Sequence, residues 1–168
     1  VYSRGSYTGL KNLRFGFTVS WRQWSEILED VEAGRGVAVR AVARTEKRPD
    51  RCENVLCTIP GREPGGKGVI FSAHLFEGYT KRGANDNMSG CVVQLEILRA
   101  LTKLIREGAL PQPRRTIVFL WPQEISGTYE QIKRTEGFAD RFSININMDM
   151  VGEGLRKNNA VMTMSECP

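Results

Sequence analysis

The sequence predicts an α/β fold, a three-layer sandwich on a mixed, mostly parallel sheet that is incomplete at its C-terminal end. Three observations carry this prediction. After residue 68, apolar runs of strand length alternate with amphipathic helical segments, in the order strand, helix, strand, helix, strand. The run Val69–Ala73 is almost continuously apolar, as a strand covered on both faces must be. Upstream of it, strand-like segments follow one another with no helix between them, which suggests a short meander joined to the parallel part.

The elements are expected in this order. Residues 1–11 are rich in Gly, Ser and Tyr and read as loop, and Leu13–Val19 reads as a short strand. Trp21, Trp24, Ile27, Leu28 and Val31 recur at helical spacing, with Ser20 as N-cap and Gly34 as stop. Their apolar stripe is expected to face a core. A strand is predicted over 36–45, a polar loop over 46–51, and a second strand over 54–59. Pro60–Lys67 holds two Pro and three Gly and reads as a turn. Met88, Val92, Leu95, Leu98, Leu101, Leu104 and Ile105 form one wide helical face that ends at Gly108. Strands are then predicted over 115–121, 143–150 and 160–164, with a helix opening over 128–135. The expected division is an N-terminal segment, 1–45, leading into a partial catalytic-type domain, 46–168.

Composition narrows the function classes. The 168 residues suffice for a real core, and 40% hydrophobic with 26% charged residues is ordinary for a globular chain. No apolar run approaches the roughly 20 residues of a membrane span. The net charge is +5, but Lys and Arg are scattered without interleaved aromatics, so a solvated basic surface is expected rather than a nucleic-acid site. Cys52, Cys57, Cys91 and Cys167 lack zinc-finger spacing. Cys52 and Cys57 are close enough in sequence to pair, although free thiols are the simpler reading, and Cys91 reads as a small buried residue. The chain starts at Val1 and stops just after an apolar run, so both ends look cut.

The chemistry-bearing residues cluster by position. His74, the only histidine, ends the first buried run; Glu124 follows the run 116–121; Asp149 follows the run 144–148. Asp86 lies between Asn85 and Asn87 in a Gly-flanked turn at the mouth of the long helix. Taken singly, His74 reads as a core histidine, Asp86 as a helix cap and Asp149 as a turn former. Together they lie at or just past the C-terminal ends of strands, the edge where open α/β sheets bind ligands. One His with carboxylates is also a donor set that suits catalytic zinc.

These motifs resemble, in order, those of the two-metal zinc aminopeptidases, the family that includes glutamate carboxypeptidase and the transferrin-receptor ectodomain. The matching pieces are residues 53–61, Ala73-His74-Leu75, Gly83–Gly90, the helix 92–101, Arg115–Glu124 and Asn147–Gly152. The resemblance implies two zinc ions per complete domain. It implies His74 and Asp149 on one ion, Asp86 bridging both, and Glu124 as either a ligand of the second ion or the general base. It further implies hydrolysis of N-terminal peptide bonds in a peptide or aminoacyl substrate, and it favours a secreted or periplasmic setting. The chain departs from the family pattern in three ways. Phe76 stands where an Asp normally orients the His ligand, Gln123-Glu124-Ile125 replaces paired Glu, and no second His follows Asp149. That last ligand is expected beyond Pro168, so weak turnover and poor zinc retention are expected of the 168 residues. Two other readings fit the same residues: a non-catalytic binding or receptor module, and a two-zinc deacylase or carboxypeptidase.

Overall fold

The computed structural model describes residues 17, 19–42, 44, 46, 48–49, 51, 53–63, 65–75 and 82–165. The chain divides into two compact units, Val1–Pro49 and Asp50–Pro168.

In the first unit the helix α1 spans Trp21–Glu32. Ser20 caps it as the sequence predicts: its Oγ accepts the Gln23 N–H (3.3 Å), and Gln23 Oε1 accepts the Ser20 N–H (2.9 Å). Gly34, at φ 69°, closes it. The expected core-facing stripe is a correction: Trp21 is 75% and Trp24 46% exposed, and no α1 residue is buried. Among the described residues of this unit there is no second helix or strand to receive the stripe. The strand predicted over 36–45 is a second correction, since residues 35–42 carry no ladder; Ala43 and Thr45 lie outside the described residues. Alternating Val and Ala favour extended backbone, but a strand also needs a partner for its N–H and C=O groups. The strand proposed over Leu13–Val19 falls mostly outside the described residues, as do Cys52, Phe76 and Cys167.

The second unit is an open four-stranded sheet with helices, an α/β fold. Its strands are β1 (Val55–Ile59), β2 (Gly68–Ser72), β3 (Ile117–Trp121) and β4 (Phe142–Asn147). The order is β1-β3-β2-β4, with β1–β3 antiparallel and β3–β2 and β2–β4 parallel. The meander is therefore corrected: β3 inserts between β1 and β2. The cause is the long helix α2 (Gly90–Arg106), a crossover that returns the chain to lie parallel beside β2. The strand predicted over 160–164 does not form, for want of a neighbour to pair with; a short helix α4 (Leu155–Asn158) precedes it.

Alternation along β3 sends side chains into two cores. Phe119 and Trp121 join Ile59, Ala73 and Cys91 under α2, with Ile97, Leu98, Leu101 and Ile105 packed against them. Val118 and Leu120 join Ile70 and Phe138 on the other face. Thr128 and Ile132 of α3 (Ser126–Arg134) line a depression of about 240 Å³ on that second face, so helices flank both sides of the sheet. The buried stripe of α2 runs through Cys91 and Gln94, not through Met88, Val92 and Leu95, which are 47%, 55% and 56% exposed. Cys57 and Cys91 are free thiols. Among the described residues no helix is long and apolar enough to cross a membrane.

Candidate metal centre

The sheet register brings His74 and Asp149 to one edge. The last paired couple of the parallel strands β2 and β4 is Ser72 with Asn147. His74 and Asp149 each lie two residues beyond it, so parallel strands ending flush place both groups together. Backbone bonds extend this order past the strands. Ala73 N–H donates to the Leu120 carbonyl (3.2 Å), Leu75 N–H to Pro122 (2.8 Å), and Met148 N–H to Ser72 (2.9 Å). His74 thus sits between two anchored residues.

Asp86 arrives from the turn Ala84–Ser89 that leads into α2. Gly83 enters at φ 64°, a left-handed value that glycine adopts without a Cβ clash. Asp86 (φ −102°, ψ 93°) and Asn87 (φ −132°, ψ 36°) leave helical geometry, and the peptide between them is cis. The cap of α2 is not Asp86: Asn87 Oδ1 accepts the Gly90 N–H (3.1 Å). The Asp86 carboxylate instead faces His74.

Three donor groups converge. His74 Nε2 lies 3.1 Å from Asp86 Oδ1 and 3.7 Å from Asp149 Oδ2, and donor atoms of the three residues all lie within 4.8 Å of one another. The imidazole is 11% exposed and the carboxylates 33% and 43%, so the site is lined by protein yet open to solvent on the carboxylate side. Two ligand atoms held about 2.0–2.1 Å from a tetrahedral zinc are about 3.3 Å apart. The observed separations bracket that value. Two carboxylates on one imidazole nitrogen also repel each other unless a cation or a protonated ring lies between them, so the donor set fits a divalent ion.

Cys91 closes the floor behind the histidine. Its Sγ–H donates to the His74 carbonyl (3.0 Å). Burial pushes the Cys91 thiol up, and the Asp149 charge adds to the shift, so it acts there as a neutral donor.

Glu124 follows β3 on the same edge, four residues beyond Leu120, the last β3 residue paired with β2. It is not one of the three converging groups. Its loop is tied down by Asn54, whose Nδ2–H donates to the Gly127 carbonyl (2.9 Å) and whose Oδ1 accepts the Gln123 N–H (3.4 Å). Gly127 permits this approach, since a Cβ there would lie 2.6 Å from Asn54 Oδ1. Ile125 turns the chain sharply at φ 56°, ψ −64°, with the Ser126 N–H on the Glu124 carbonyl (2.5 Å). Asn54 belongs to a matched motif, yet nothing in the sequence pointed to its role, because Gly127 is 73 residues away.

The chain is similar to known proteins. The model described as peptidase family M28 matches residues 54–166. Aminopeptidase NAALADL1 of Rattus norvegicus is 35% identical over 123 residues, which is 70% of this chain and 16% of that protein. The Mus musculus aminopeptidase NAALADL1 matches to the same extent. The glutamate carboxypeptidase 2 homolog of Caenorhabditis briggsae is 32% identical over 112 residues, 64% of this chain and 14% of that protein. The chain therefore spans well under a fifth of the length of these relatives.

Proposed function

The chain belongs to peptidase family M28, and from that premise we propose that it serves a metal-dependent exopeptidase of the aminopeptidase type. The observation that carries the proposal is the placement of His74 Nε2 between the Asp86 and Asp149 carboxylates on the ligand-binding edge of the sheet. His74 and Asp149 would hold one zinc ion, and Asp86 would share it with a second. Bound there, zinc would lower the pKa of a water and polarise the scissile carbonyl. The protein's own groups do the rest. The anchored backbone at Ala73 and Leu75 holds the imidazole in place. Cys91 occupies the His74 carbonyl, and the open carboxylate side leaves an approach for a substrate amine and carbonyl. Glu124 takes one of two roles in this reading, the second ion's ligand or the acceptor of the water's proton.

The test is zinc titration by calorimetry beside release of an aminoacyl chromophore, with His74→Ala as control. In a protein that spans the full length of its relatives, zinc binding that His74→Ala abolishes, with turnover lost to a chelator and restored by zinc, is expected. Equal zinc affinity in His74→Ala would overturn the centre. Zinc binding without turnover on aminoacyl, acyl-amino-acid or C-terminal dipeptide substrates would favour a non-catalytic module, with Gln123 the first residue to examine. The carboxypeptidase alternative draws its support from the similarity to the C. briggsae homolog of glutamate carboxypeptidase 2, and the same substrate panel separates it.

A further inference from the structure

We propose that Asn87 is the positioning residue that fixes where Asp149 stands relative to His74 and Asp86, with Asn85 as its second arm; this rests on the metal-centre reading above. Asn87 is fully buried, at 0% exposure. Its Nδ2–H donates to the Met148 carbonyl (2.8 Å), and its Oδ1 accepts the Met150 N–H (3.3 Å) as well as the Gly90 N–H. Met148 and Met150 are the two neighbours of Asp149. One side chain therefore grips the backbone on both sides of a ligand. Asn85 extends the grip, because its Oδ1 accepts the Gly152 N–H (3.0 Å). The residues on either side of Asp86 thus hold the residues around Asp149.

Steric contact supports the same picture independently of the hydrogen bonds. A Cβ on Gly90 would lie 2.3 Å from the Met148 carbonyl oxygen, and one on Gly152 would lie 2.6 Å from Ser89 Cβ. The turn and the loop touch with no room for a methyl group. β4 stops at Asn147, and the last ladder-type bond is Met148 N–H to Ser72. Beyond it, Met150 turns the chain at φ 53°, so the strand pairing does not itself dictate the direction of Asp149.

A simple helix cap explains only half of this. Capping Gly90 requires one acceptor, which Ser or Asp supplies equally well. The donor to Met148 is superfluous for a cap and necessary for a clamp. The Asn carboxamide carries donor and acceptor on one short planar group, which an ionised carboxylate does not.

The experiment is a cobalt(II) titration followed by visible absorption, on the full chain and well below its unfolding temperature. The variants are Asn87→Ser, Asn87→Asp, Asn85→Ala, His74→Ala and Gly68→Ala. Gly68→Ala is the control for lost stability, because its Cβ would strike the Thr116 carbonyl (2.5 Å) away from the centre. Asn87→Ser and Asn87→Asp are expected to weaken cobalt binding about 10–100-fold and to alter its d–d bands, the usual range for lost outer-sphere support. Asn87→Asp should lose affinity despite its added negative charge. Asn85→Ala should lose a few-fold, and Gly68→Ala should bind as wild type with a lowered melting point. Wild-type affinity and spectrum in both Asn87 variants would overturn the proposal, and so would an equal loss in Gly68→Ala. Should Asn87→Ser fail to fold, Asn87→Asp and Asn85→Ala carry the same readouts. A metal-free measurement separates this proposal from the metal reading. Amide exchange at Met150 should accelerate in the Asn87 variants, and at Gly152 in Asn85→Ala; unchanged exchange in both would sink the clamp even if cobalt binds. Cobalt binding that His74→Ala leaves intact would instead count against the metal centre, with the exchange data still deciding the clamp.

Discussion

At the residue scale, His74, Asp86 and Asp149 were recognisable from the sequence because each follows a local signal, a strand end or a Gly-flanked turn. Their convergence to within 4.8 Å is what the structure adds. Glu124 is not one of those three groups, and its role can be tested directly. Gln at this position keeps size and hydrogen bonding but removes the proton acceptor. If Glu124 holds the second ion, Glu124→Gln lowers the zinc bound per chain and Gln123→Glu raises turnover, by about 10²-fold or more if it restores a general base. This is the expected result, measured by metal analysis of dialysed protein beside initial rates. Full zinc content with lost turnover in Glu124→Gln would give Glu124 the proton instead. Asn54 was legible only as the start of a predicted strand and Asn87 only as part of a turn, because a side-chain amide carries no sign of partners 73 or 61 residues away.

At the element scale, α2 existed in the sequence as a periodic pattern, but the face it buries did not. The pattern offered one wide apolar face. The sheet instead covered a stripe through Cys91, Gln94, Leu98, Leu101 and Ile105, which carries a buried polar residue. Gln94 is fully buried; its Nε2–H donates to the Leu120 carbonyl (3.1 Å), while its Oε1 has no partner. The Leu120 carbonyl already accepts the Ala73 N–H, so removing the amide strands no acceptor. Gln94→Met, of similar shape, is therefore expected to change unfolding free energy by less than about 1.5 kcal/mol in denaturant titration. A loss above about 3 kcal/mol would show that the amide holds α2 to β3. Gly90→Ala should cost about 1–3 kcal/mol in the same assay, since its Cβ must displace Met148 or Asn87.

At the scale of the whole molecule, the chain is two units that meet in sequence at Pro49 and Asp50. The stretch around this boundary carries exposed Arg44 and Arg51 outside any helix or strand. Brief trypsin treatment should cut there first and leave a resistant fragment carrying residues 54–165, identified by mass spectrometry. Early cuts after Arg99 or Lys103 inside α2 would show that the sheet and its helix do not form a stable body.

The sequence by itself determined the α/β class, the helices at 21–32 and 90–106, the buried strands and three of the ligand candidates. These depend on short-range periodicity, turn chemistry and the family motifs, all of which are written within a few residues of one another. The tertiary structure alone decided that β3 lies between β1 and β2, that residues 36–42 and 160–164 form no strand, and which stripe of α2 is buried. Those outcomes depend on partners far along the chain. A strand forms only where another strand satisfies its backbone, and an apolar stripe becomes core only where a surface is present to cover it.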